Sequence, residues 1–336
     1  MSALPERLAG RLRLPLIAAP MLRVSGPELV IAACRAGVIG AFPTANARTP
    51  ERLDEWLAEI TAALDADHAP CCPNLIIRQP DLAAHLECIV RHRVELVITS
   101  VGSPAAVVGP LHEAGTLVLA DVASLEHARK AAAAGVDGLV LLSTGAGGQT
   151  GWANPFAFVR AVREFFDGIV VLAGGISDGV ALRAAVTLGA DLAYMGTRFI
   201  AASESMAGEE YRDMLVSSTL DDITLTSAFT GLATNMLRPA IEAAGLDPSK
   251  LNEQVTPAEA ADLFGANGAG VGPKRWTDVY SAGHSVSGVR AVEPVAAIVE
   301  RTVREYSAGL DRSAGPDRSA GPDRSAGLDG TGGHDG

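Results

Sequence analysis

"IVVLAGGISDGVALRAAVTLGADLAYMGTRF", residues 169–199, holds two short apolar runs separated by one amphipathic segment. The runs, 169–175 and 191–196, are continuously hydrophobic rather than alternating, as strands of a parallel sheet covered by helices must be. Between them "DGVALRAAVTLG" reads as a helix ending at Gly189, a residue suited to a left-handed C-cap. A glycine turn follows each run, at Gly174 and Gly175 and again at Gly196, and each turn opens a helix. With no Cβ in the way, backbone N–H groups from the two turns can converge on an anion, which makes a phosphate cup.

Working outward, the same unit recurs. Further apolar runs are "PLIAAPM" (15–21), "VIGAFP" (38–43), "CCPNLII" (71–77), "VELVITSVG" (94–102), "TLVLADV" (116–122) and "GLVLLS" (138–143), which brings the count to eight. Helix-like segments lie between them. "TPERLDEWLAEITAAL" begins with an N-cap at Thr49, a proline at the first helical position and an acid, Glu51, at the positive end of the dipole. Eight such units in roughly 200 residues predict an α/β fold, a (β/α)8 TIM barrel, over residues 1–204. An open doubly wound sheet rarely needs eight such even units. Residues 205–275 contain helical stretches such as "GEEYRDMLVSS" and "ATNMLRPAIEAAG" without a clear strand, which predicts a helical cap over one end of the barrel. Residues 276–306 read as a loop and a closing helix packed on the barrel. From 307 to 336 the repeat "SAGLDRSAGPDRSAGPDRSAGLDG" offers nothing to bury and reads as a disordered tail.

Composition narrows the partners. A formal net charge of −12 repels nucleic acid and anionic membranes, and no basic patch is visible in the sequence. No apolar stretch is long enough to span a bilayer, and the N-terminus lacks an uninterrupted apolar core for export, so a cytoplasmic location is expected. Cys34, Cys71, Cys72 and Cys88 sit in apolar runs without metal-ligand spacing, which suggests buried reduced thiols and no metal. Monomer and homodimer are both compatible with the sequence.

A barrel of this kind carries its chemistry at the C-terminal ends of its strands. Those ends offer Pro20, Met21 and Leu22, then Asn74, Ser100, Asp121 and the glycine loop "GAGGQTG" with Gly147, Gly148 and Gln149. The last two strands offer Gly174, Gly175 and Ser177, then Gly196, Thr197 and Arg198. Taken with "AAPM", "NL" and the late "SAG", the stretches "GAGGQTG", "LAGGISDG" and "LGADLAYMGTRF" resemble the nitronate monooxygenase family, once called 2-nitropropane dioxygenases, over residues 13–306. That resemblance implies an FMN-dependent barrel that oxidises small alkyl nitronates with dioxygen. It implies Pro20, Met21 and Leu22 beside the isoalloxazine, Asn74 near its edge, and Gly147 and Gly148 against the ring. Ala173, Gly174, Gly175, Gly196 and Thr197 would hold the end that carries the phosphate.

Two positions depart from the family pattern. Gln149 stands where much of the family has a histidine that takes a proton from a neutral nitroalkane. A carboxamide cannot do that, although it can donate a hydrogen bond to a nitro or carbonyl oxygen. Either pre-formed nitronates or a different substrate is then expected. Asp121, counted with the cofactor-binding residues, falls where relatives often place a basic residue near the flavin. It would disfavour an anionic reduced flavin unless it points away or pairs with Arg198 or Arg129. It also reads as a solvated loop acid or the N-cap of the helix at Ser124. His284, in the late loop "SAGHSVSG", is the candidate replacement base. Trp152, Asn154 and Phe156 are candidate walls of the substrate pocket. The rival readings are an NAD(P)H-dependent flavin reductase of a quinone or enoyl thioester, a flavin-free phosphate-binding lyase or isomerase, and a flavin carrier without turnover.

Overall fold

The structure, a computed structural model, describes residues 3–265 and 272–308. Eight parallel strands close into a barrel: β1 (Leu16–Ala18), β2 (Ile39–Pro43), β3 (Cys71–Ile76), β4 (Leu96–Ser100), β5 (Leu117–Val122), β6 (Gly138–Leu142), β8 (Ile169–Ala173) and β9 (Leu192–Met195). β1 completes the ring, with Ile17 opposite Ile39 on one side and Tyr194 on the other. Each predicted run is one of these strands, so the TIM barrel expected from continuous hydrophobicity is the fold observed.

Alternation within each strand sorts its residues between two cores. Ile17, Ile39, Cys72, Ile98, Leu119, Val140, Val171 and Leu192 fill the inside of the barrel. Leu16, Phe42, Leu75, Val97, Val118, Leu139, Val170 and Ala193 point outward under the helices. Helix starts follow the sequence signals, since the side chains of Thr49, Ser124, Asn154 and Asp178 each accept a hydrogen bond from a first-turn N–H. Gly189 takes the left-handed C-cap with φ 111°. Helix Val295–Ser307 closes the molecule by packing against helices Pro27–Arg35 and Gly179–Leu188.

The region expected to be purely helical differs. Two antiparallel strands, β10 (Ile223–Thr226) and β11 (Thr234–Leu237), form a small sheet with β7 (Gly148–Gln149). "ATNML" therefore opens as a strand, and only Arg238–Ala243 of that stretch is helical. Its partner on one side lies in the glycine loop, so no local pattern could reveal it. The predicted repeat tail lies outside the described residues from 309 onward. All four cysteines are free, with Cys34, Cys72 and Cys88 buried and Cys71 half-buried. No described helix is long and apolar enough to cross a membrane.

One ion pair fastens the outer helices to the closing strands. Asp191, just before β9, accepts from the Ala3 and Val170 N–H groups and from Arg163 of helix Pro155–Arg163. The same guanidinium donates to the Gly168 and Gly189 carbonyls. Removing one member of a buried pair strands the other charge. Arg163→Ala should therefore lose about 3–5 kcal/mol of stability, measured by urea unfolding followed by circular dichroism.

Candidate active site

At the C-terminal ends of the strands, under the added sheet and helices, lies a cavity of about 440 Å³, within the range of small-molecule sites. The barrel supplies its floor. Asn74 of β3, Asp121 of β5, Ala173 of β8 and Tyr194 of β9 all reach it. Pro20, Met21 and Leu22 of the first loop stand on one side, and Gly147, Gly148 and Gln149 of the sixth loop form a wall. Gly174, Gly175, Gly196 and Thr197 complete the lining. Every cofactor-binding position expected from the sequence thus faces one space, as does Gln149.

The two glycine turns fit an anionic group. Gly174 has φ 124°, and a Cβ there would lie 2.5 Å from the Ser143 hydroxyl oxygen. Gly175 has φ 74° and faces open space. The N–H groups of Gly175, Gly196 and Thr197 donate to no protein acceptor among the described residues. The Thr197 hydroxyl oxygen accepts from the Gly283 N–H at 2.9 Å, which leaves its proton free to donate. Unpaired donors around an open pocket suit a phosphate.

The sixth loop is held from two directions. Gly148 and Gln149 pair with Asn235 and Thr234 of β11, and the Asn235 amide donates to the Ala146 carbonyl at 2.7 Å. The late segment is the second support, because the His284 N–H donates to the Gly145 carbonyl at 2.9 Å. A Cβ on Gly147 would come within 2.7 Å of the Gly283 nitrogen. The backbone of Gln149 is therefore fixed, and this exposed residue lines the cavity with no side-chain hydrogen bond among the described residues.

The floor is polar and lacks a counter-charge. Asp121 Oδ1 and the Tyr194 hydroxyl are both buried without a partner. Burial pushes the Asp121 carboxyl up to about 7, opposed only by a hydrogen bond from Asn74. The Asn74 side-chain oxygen in turn accepts from the Ser100 hydroxyl at 2.8 Å. Burial raises the Tyr194 phenol and the Cys72 thiol as well, and the nearby Asp121 charge adds to both shifts.

Four expectations need correction. His284 packs its ring against Gly145, is exposed and does not line the cavity, so the late loop brings its backbone, not its imidazole, to the site. Asp121 pairs with neither arginine, since Arg198 bonds Glu293 and Arg129 lies over Phe165. The helix N-cap is Ser124, and Asp121 plays no part in it. Trp152 and Phe156 are 84% and 58% exposed and Asn154 caps its helix, so none of the three walls the pocket. The sequence reading missed Tyr194, Arg275 and Trp276. Alternation along "DLAYMG" could have turned Tyr194 inward beside the other floor residues. Arg275 and Trp276 reach the cavity only through tertiary packing of the cap.

Residues 81–305 match the nitronate monooxygenase family. Among curated relatives, a nitronate monooxygenase of Paraburkholderia phytofirmans is 27% identical, with 89% of this chain and 93% of the relative covered. A (3aS,4S,5R,7aS)-5-hydroxy-7a-methyl-1-oxo-octahydro-1H-indene-4-carboxyl-CoA dehydrogenase of Mycobacterium tuberculosis is 29% identical over 67% of this chain and 63% of its own length. Among solved structures, a nitroalkane oxidase from Streptomyces ansochromogenes superposes with a TM-score of 0.71 at 25% identity, covering 90% of this chain and 98% of its own.

Close approach at Gly147 yields a test of the wall. Gly147→Val should force the sixth loop away from Ala282 and Gly283, costing about 1–3 kcal/mol, the usual range for overpacking. Urea unfolding checks the loss, and limited proteolysis should cut the 276–290 segment faster than in the wild type.

Proposed function

Because the chain belongs to the nitronate monooxygenase family of flavin-dependent oxidoreductases, we propose that its cavity holds FMN and oxidises a pre-formed alkyl nitronate, with dioxygen as the final acceptor. Bound FMN would supply the electron acceptor. The unpaired N–H groups at Gly175, Gly196 and Thr197 support a phosphate at that end of the cavity, and the polar floor supports the edge of a ring.

The observation that carries the substrate reading is Gln149. Its carboxamide stands on the wall beside the glycine loop, backbone-fixed and without a partner. An amide donates to a nitronate oxygen but takes no proton from carbon. Among the described residues no histidine lines the cavity. On this reading the substrate arrives already deprotonated, and Asp121 is the remaining lining group that could take a proton. Arg275, which also lines the cavity, supports that form, because its half-buried guanidinium donates to the Phe229 carbonyl and has no carboxylate partner among the described residues.

A second reading is favoured by the rim. Arg23, Arg48 and Arg78 follow β1, β2 and β3, and none pairs with an acid among the described residues. Hydrogen bonds tie these loops together: the Arg23 N–H donates to Asn46, and Gln79 and His85 both reach the Thr44 hydroxyl. The three arginines, scattered in sequence, thus stand on connected loops at the C-terminal ends of neighbouring strands. They suit the phosphates of a carrier such as coenzyme A, and the relative from Mycobacterium tuberculosis is named for a CoA thioester. On this reading the cavity would oxidise or reduce the acyl end.

Anaerobic mixing of the FMN-loaded protein with ethylnitronate, neutral nitroethane, NADPH or an enoyl-CoA separates these readings. Bleaching by ethylnitronate but not by nitroethane is expected. Bleaching by NADPH, reversed on adding enoyl-CoA, would replace the nitronate reading with the thioester reading. Nitroethane bleaching that disappears in Asp121→Asn would assign proton abstraction to the floor and overturn the role given to Gln149. Gln149→His should gain nitroethane oxidation, rising by roughly a hundredfold, the size of a general-base contribution, with activity increasing from pH 6 to 8 as the imidazole loses its proton.

A further inference from the structure

Two buried polar atoms on the cavity floor have no partner, Asp121 Oδ1 and the Tyr194 hydroxyl. Each costs free energy where it stands, because a buried donor or acceptor that has left water without a replacement loses a full hydrogen bond. Both belong to residues whose side chains meet the cavity. They come from β5 and β9, on well-separated parts of the barrel wall, so the fold has brought them to one surface without letting them satisfy one another. A floor of this kind is completed by a ligand with its own hydrogen-bonding edge.

We propose that the Asp121 carboxyl and the Tyr194 hydroxyl act together as uncharged hydrogen-bond donors to the polar edge of the bound flavin ring. This rests on the reading of the cavity as an FMN site and assigns the recognition of the ring, as distinct from the phosphate, to these two residues. The surroundings of Asp121 decide its form. From β3 it meets Asn74 and the Cys72 thiol, and from β9 the Tyr194 phenol. β4 contributes the Ser100 hydroxyl, which is engaged by Asn74, while β6 and β8 contribute Leu142 and Ala173 to the same lining. None of these is a cation. Arg198 is held by Glu293 and the Gly288 carbonyl, and Arg275, on the cap side of the cavity, is anchored on the Phe229 carbonyl.

With burial dominant and no positive neighbour, the Asp121 carboxyl rises to about 7. Below that pH it carries a proton and can donate to a ring carbonyl. Above it Oδ1 has no proton to give, and the carboxylate charge repels the same carbonyl. A ligand that prefers the protonated form binds with constant affinity below the group's pKa and loses up to about tenfold per pH unit above it. The Tyr194 phenol, pushed above its ordinary value, stays a donor throughout.

The test is FMN binding to the apoprotein, followed by quenching of flavin fluorescence from pH 6 to 9. Wild type should hold its affinity to about pH 7 and then weaken by roughly tenfold per unit. Asp121→Asn, which always presents an N–H donor, should flatten the profile. Tyr194→Phe should weaken binding by about the same factor at every pH, while the fall above neutrality remains. Matching profiles in wild type and Asp121→Asn would overturn the inference and leave the FMN reading intact. Absence of FMN binding at any pH would overturn the FMN reading and this inference with it. A wild-type affinity that rises with pH would show the carboxylate to be the bound form and would also overturn the inference.

Discussion

The backbone of Gly147 runs so close to Ala282 and Gly283 that a Cβ there would sit 2.7 Å from the Gly283 nitrogen. Everything at the mouth of the barrel depends on that contact. It joins a loop in the middle of the chain to a segment 135 residues later, and the His284 N–H and the Thr197 hydroxyl fix the join on either side. β11 then clamps the same loop from the opposite direction through Gly148 and Gln149. A loop that would otherwise sample many conformations becomes a wall of defined position. A fixed backbone at Gln149 is what the role proposed for its carboxamide requires.

The barrel below was legible because parallel strands buried on both faces leave a continuous signal, and because Thr49, Pro50 and Gly189 mark helix ends through local chemistry. The glycine turns after β8 and β9 were legible for the same reason. A glycine with φ 124° or 74° is required by its own backbone, and its spacing from the next strand is fixed by one helix. What escaped was non-local. β11 lies next to a helix former in sequence and becomes a strand only because Ile223–Thr226 and the glycine loop flank it in space. His284 looked like a base because its loop returns to the site, yet it is the backbone of that loop which does the work there. Periodicity states that a segment returns, and packing decides which of its atoms arrives.

Asp121 shows how a departure from a family pattern gains a meaning once its neighbours are known. Read alone, an acid near a flavin implies a charge that opposes electron uptake. Placed among Asn74, Cys72 and Tyr194, without a cation, the same side chain is held closer to its neutral form. A protonated carboxyl and an amide differ little as donors. The floor therefore keeps the hydrogen-bonding capacity that a basic residue would offer and gives up the charge.

That exchange bears on where an anionic substrate settles. The chain carries a net charge of −12, yet Arg23, Arg48 and Arg78, without an acidic partner among the described residues, follow the first three strands, and Arg275 lines the cavity. An anion attracted by these arginines would approach against the net charge of the molecule. Once inside, it meets a neutral floor. A cation at position 121 would compete with Arg275 and pull the substrate toward the depth that the ring is proposed to occupy. With an acid held near its neutral form there, Arg275 supplies the positive charge among the lining residues, and on the proposed reading the substrate's charge would settle toward it rather than toward the floor.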